Sequence, residues 1–146
     1  MSERKISRLY YLETFLLLGF FIAVTMILTR SFVFSREISM KATKLTDAVI
    51  LAENAAEAFK GSGNPQEMAE HLNEKDNVIL KENGSSYLLT AGYDAERNPD
   101  GDGYYRVDCE ISYQSNLGDA TINVYNEGDL IYTLQLASYN AEVDHE

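Results

Sequence analysis

At 146 residues the chain holds one domain with appendages, and its formal net charge is −11 at pH 7. That charge is unevenly spread: residues 1–44 carry seven Lys/Arg against three acids, whereas residues 45–146 carry five against twenty. A region at −15 has no basic stripe with which to displace phosphate counterions, which excludes nucleic acid as a partner, and the single cysteine, Cys109, excludes an internal disulfide.

The chain opens with a basic stretch, residues 1–8, containing Arg4, Lys5 and Arg8. From Leu9 to Thr29 there follow 21 residues in which Glu13 alone is charged. As a helix rising 1.5 Å per residue this run spans about 31 Å, one bilayer core, so residues 9–30 are predicted to form a transmembrane helix. The sequence after it, Arg30 to Arg36, has no small-residue cleavage pattern, which favours a retained anchor over a secretory signal. Basic residues flank the span on both sides, so charge counting leaves its orientation open. Glu13 is the unusual residue, because a carboxylate in hydrocarbon costs a few kcal/mol unless it is protonated, paired or able to reach water. Beside Tyr10 and Tyr11 it reads either as an interfacial acid or as one kept for pairing with a neighbouring subunit. Gly19 would allow close approach of another helix.

Helical periodicity continues past the span. Ile38, Ala42, Leu45, Val49, Ala52, Ala56 and Phe59 recur at spacings of four and three, and no Pro or Gly interrupts residues 20–60. Residues 31–60 are therefore read as an amphipathic continuation of the same helix, its Ala-rich seam packing on a sheet or, alternatively, in a weak coiled coil. Gly61-Ser62-Gly63 ends it, and Asn64-Pro65-Gln66-Glu67 carries a cap residue, a first-turn proline and a Glu three after the cap, opening a short helix over 65–73.

The period then changes to two. Strands are predicted at Asn77–Lys81 and Tyr87–Ala91, joined through Asn83-Gly84, and at Tyr104–Tyr113, where Tyr105, Val107, Cys109, Ile111 and Tyr113 form the apolar face. Ala120, Ile122 and Val124 follow a turn at Ser115–Gly118, and Leu130, Tyr132, Leu134 and Leu136 follow one at Asn126–Asp129. The fold class is α+β: a long N-terminal helix, its first half transmembrane, packed on a four- to five-stranded antiparallel meander over 61–139, with an acidic tail at 140–146. On that apolar strand face Cys109 reads as a small core side chain.

Between strands, Asp94, Glu96, Asn98, Asp100 and Asp102 form an oxygen-rich loop. The spacing of Asn98, Asp100, Asp102 and Gly103 matches the front half of a calcium loop, and the match ends at Cys109, where the bidentate Glu would stand. Calcium is the candidate cofactor; the rival reading is a solvated Asp/Gly turn.

The apolar run Leu9-Tyr10-Tyr11-Leu12 followed by Glu13, on a helix leading into an antiparallel sheet, resembles type IV pilins and pseudopilins. The resemblance covers the architecture of the whole chain, and its specific motif lies within Arg8 to Phe20. It implies a cytoplasmic leader, residues 1–8, cleaved between Arg8 and Leu9, with Arg8 standing where the family carries glycine. It further implies that Glu13 pairs with a neighbouring subunit's amino terminus. On this reading the protein is a single-pass cell-membrane subunit, its N-terminus cytoplasmic and its acidic domain outside. Its partners would be the membrane, other pilin-like subunits and an assembly platform, as in a type IV pilus or type II secretion machine. The alternative is a bitopic membrane protein whose outer domain binds a ligand or partner without polymerising. Two histidines, His71 and His145, and the lack of a nucleophile or phosphate-loop motif argue against an enzyme.

Overall fold

The computed structural model describes residues 2–114 and 117–139, with side chains from Arg8 onward. The acidic tail 140–146 with His145, the Ser115-Asn116 turn and the side chains of Arg4 and Lys5 lie outside the described residues. The elements are α1 (Ser2–Gly61), α2 (Pro65–Leu72), β1 (Val78–Asn83), β2 (Ser86–Tyr93), β3 (Tyr105–Gln114), β4 (Leu117–Asn126) and β5 (Asp129–Tyr139). The chain divides into two compact units, Met1–Ala42 and Thr43–Glu146, and α1 contributes to both.

α1 stops at Gly61, the first of the two predicted breakers. α2 opens as its sequence requires: the Asn64 side chain accepts from the Glu67 amide at 2.8 Å, and Glu67 accepts from the Gly63 amide at 2.7 Å. The returning carboxylate thus caps one residue earlier than a standard capping box.

The five strands form one antiparallel sheet in sequence order. β1 and β2 each run longer than predicted, by two residues past Lys81 and to Tyr93 respectively. Their register places Leu80, Leu89, Cys109, Ile122 and Leu134 level with one another, an apolar row across the whole sheet. Between Asn126 and Asp129 the loop residues Glu127 and Gly128 have φ of 52° and 93°, the left-handed pair that a tight hairpin of this twist demands.

One strand residue departs from the period-two pattern. Leu130 was expected on the apolar face with Tyr132, Leu134 and Leu136, yet it is 55% exposed. A register shift leaves Ile131 unpaired between Val124↔Tyr132 and Tyr125↔Leu130, and this bulge turns Leu130 to the outer face beside Tyr125.

Within the second unit, the Thr43–Gly61 part of α1 covers the sheet's inner face. Ala48, Leu51, Ala52, Ala55, Ala56 and Phe59 are buried in the same core as Leu89, Val107, Cys109, Ile111, Ile122 and Val124. This corrects the expected seam: Ala52, Ala56 and Phe59 belong to it, whereas Leu45 is 46% exposed and Val49 only half-buried. The buried positions recur at spacings of three and one, the wide stripe of a helix lying on a broad sheet, where a coiled-coil seam would be narrower. Four of these six helix residues are alanine. At Gly118 a Cβ would come within 2.9 Å of Tyr113 Cε1 and 3.2 Å of Phe59 Cζ, so the glycine leaves room for both rings. Contacts at the two ends of this segment give its direction: Lys44 reaches Asn126 at the end of β4, and Phe59 lies by Gly118 at its start. The helix segment therefore runs parallel to β1, β3 and β5.

Candidate functional site

In the first unit none of the described side chains is buried. Every large apolar side chain from Leu9 to Leu28 is exposed, Phe15 at 79% and Leu16 at 73% among them. The helix is long and apolar enough to cross a membrane. Its hydroxyls are satisfied internally: Thr14, Thr25, Thr29 and Ser31 donate to the carbonyls of Tyr10, Phe21, Thr25 and Ile27 at 2.8–3.1 Å. Such back-bonding pairs these four hydroxyl hydrogens within the helix itself.

Glu13 is exposed on this helix, with no hydrogen bond or ion pair among the described residues. Leu9 is 66% exposed one turn earlier, about 40° round the axis from Glu13 at 100° per residue. Gly19 lies about 120° from Glu13 on the same count, so the two occupy different faces. A Cβ on Gly19 would meet nothing within 4 Å, and the space beside it is open. Arg8 precedes Leu9 without a break in the helix.

In the loop between β2 and β3, Asp94 and Asp100 accept hydrogen bonds from within the loop. Asp94 accepts from the Glu96 amide at 2.9 Å, the Asn98 amide at 2.8 Å and the Asn98 side chain at 3.0 Å. The Asn98 side-chain and backbone donors hold the Asp94 carboxyl below its ordinary value. Asp100 accepts from the Asp102 amide at 3.3 Å. Among the described residues no three His, Cys, Asp or Glu side chains gather as metal ligands, so Asp94, Glu96, Asp100 and Asp102 are not brought together with Asn98 as a calcium cradle. Bridging of Tyr93 to Pro99 and donation from the Asp100 amide to Gly92 O at 3.0 Å fold the loop back on β2. A Cβ on Gly92 would stand 2.3 Å from Asp100 O, which explains the glycine.

The loop's anchor has no local signal in the sequence. Arg97, at φ 69°, donates to Asp47 of α1 at 2.9 Å, and the Tyr105 hydroxyl reaches the other carboxylate oxygen at 3.2 Å. Nearby, Lys44 donates to Asn126 at 2.7 Å with Glu127 at 3.7 Å, and the Tyr104 ring lies 5.4 Å beneath its ammonium. Tyr104 first, then Glu127, holds this ammonium above its ordinary pKa. These contacts join residues 50 and more apart, and no local pattern announces them.

Cys109 is fully buried, as its strand position predicted, and burial pushes its thiol up to about 12, which makes it inert at neutral pH. His71 is exposed on α2. No protein-family model, curated protein or solved structure matches this chain.

Proposed function

We propose that this protein is a membrane-anchored, pilin-like or pseudopilin-like subunit that assembles with other subunits through its N-terminal helix. In this reading residues 1–8 face the cytoplasm, residues 9–30 span the cell membrane and the acidic sheet domain stands outside. The observation that carries the reading is the first unit itself: a helix whose large apolar side chains all point outward, bearing near its start the unspent carboxylate of Glu13. In lipid that acid costs a few kcal/mol if left alone, and a cation supplied by a neighbouring subunit removes the cost. Among the described residues no cation of this chain does so.

The test is incorporation of Glu13→Gln and Glu13→Ala into membrane complexes sized by native gel or by filament preparation. Loss of the higher-order species with retained membrane insertion is the expected outcome. Assembly unchanged by both substitutions would return the chain to a bitopic protein acting through its outer domain alone. N-terminal sequencing of membrane-extracted protein addresses the leader: a first residue of Leu9 is expected if it is removed, and an intact Met1 rules out cleavage after Arg8.

A further inference from the structure

The two edges of the sheet are unlike. β1 is six residues long, carries Lys81 and Glu82, and touches α2, which also packs against β2. β5 is eleven residues long with Asp129 as its single charge, and its inner row Tyr132, Leu134 and Leu136 is only half-buried. Among the described residues no strand or helix lies along the outer edge of β5. Long, nearly uncharged edges of this kind are what natural sheets ordinarily avoid, because their open amides and carbonyls template another strand. A half-covered apolar row beside such an edge adds a hydrophobic reason for something to bind there.

We propose that β5 of one copy receives β1 of the next, extending the sheet head to tail from subunit to subunit. This rests on the membrane-subunit reading above and specifies a second surface for the same assembly. Direction selects the occupant. β1 and β5 are both odd members of a meander and run parallel, so joining unlike edges keeps every sheet, and the helix segment beginning at Thr43, pointing the same way. Pairing β5 with β5 would turn one domain by half a revolution about the sheet normal and place the two Thr43 ends at opposite ends of the joined sheet. Chains anchored in one bilayer satisfy the first arrangement and not the second. Unlike edges also leave a free edge at each end, giving an open chain of subunits where like edges close a dimer.

The side chains fit at the level the sheet already sets. Register within one copy aligns Leu80 with Leu134 and Lys81 with Gln135, so a neighbour docked without shift extends the apolar row through its own Leu80. Its Lys81 arrives on the outer face beside Gln135, an uncharged partner in the neighbouring strand. Position 83 of one copy then stands beside position 137 of the other; both residues are exposed.

The test uses full-length protein in its membrane, oxidised with copper-phenanthroline. The only native cysteine, Cys109, is fully buried and stays silent. The double variant Asn83→Cys/Ala137→Cys is expected to give a ladder of dimers, trimers and higher species on a non-reducing gel, and each single variant only monomer. A dimer from Ala137→Cys alone would mean like-edge pairing and overturn the proposal, as would a double variant that stays monomeric. A parallel variant, Leu17→Cys, reports contact between the spanning helices. Helix cross-links without edge cross-links would sink the edge pairing alone, and absence of both would sink the assembly reading with it.

Discussion

α1 is one helix with two fates. From Leu9 to Met40 its large apolar side chains are exposed, whereas between Ala48 and Phe59 a full stripe is sealed beneath 10% exposure against the sheet. Both stretches lack Pro and form one unbroken helix, so helix formation itself does not separate them. What differs is the partner available to the apolar atoms. In the second unit this chain supplies it; in the first no described residue of this chain does. The contrast also explains side-chain size: the exposed stretch is Leu- and Phe-rich, while the covered one is Ala-rich because a sheet must come within packing distance.

Breaking the covered half should therefore cost far more domain stability than breaking the exposed half. Leu51→Ala, at 2% exposure, is expected to lose about 2–5 kcal/mol in detergent-solubilised protein followed by thermal melting. Leu17→Ala should leave the same transition in place. Equal losses would mean that the two stretches share one core.

A second substitution probes how tightly the loop closes on the domain. With 2.3 Å between a Cβ at position 92 and Asp100 O, Gly92→Ala should cost roughly 1–3 kcal/mol through backbone displacement. Faster amide exchange over residues 94–103 is the local readout, and unchanged exchange would mean that the loop yields without strain.

Alkaline titration sharpens the contrast through burial. Desolvation raises Tyr93 and Tyr105 from the ordinary value of 10.0 to about 12, and Cys109 from 9.0 to about 12. The folded state thus keeps protons that the unfolded state has released, so the unfolded state binds fewer and stability falls with rising pH. The loss should begin near pH 9 to 10, grow toward 12 and be absent at neutral pH. A flat melting temperature between pH 8 and 12 would contradict the burial of these groups.

The smallest effect is expected at the Asp47–Arg97 pair. Arg97 is 40% exposed in its side chain, so Arg97→Ala should cost only about 0.2–1 kcal/mol, diminishing in high salt. A loss well above that range would assign the pair a role in holding the loop beyond its Coulomb attraction.

Much of this was legible in the chain. The helix followed from the absence of breakers between residues 20 and 60, α2 from its cap and proline, and the inner face of β3 from strict alternation. Glu13 stood out because one charge in an apolar run is conspicuous without any structure. The stripe of α1 that meets the sheet was not legible: Leu45 and Val49 obey helical spacing as well as Ala48 and Leu51 do, and only the sheet's position chooses between them. Nor did Leu130 announce its outward turn, because a bulge one residue away changes face without changing composition. The acids at 94–102 match a ligand spacing, and in the folded loop Asp94 and Asp100 accept from neighbouring amides.

By itself the sequence determined where helix and strands run, which strand faces are apolar, and that one acid sits in a span long enough for a bilayer. Those are properties of neighbours along the chain, fixed by periodicity, caps and breakers. Tertiary structure decided which stripe of α1 is buried, that Arg97 and Tyr105 share Asp47, and that among the described residues no strand pairs with the outer edge of β5. Each of these depends on groups far apart in sequence competing for the same space and the same hydrogen bonds.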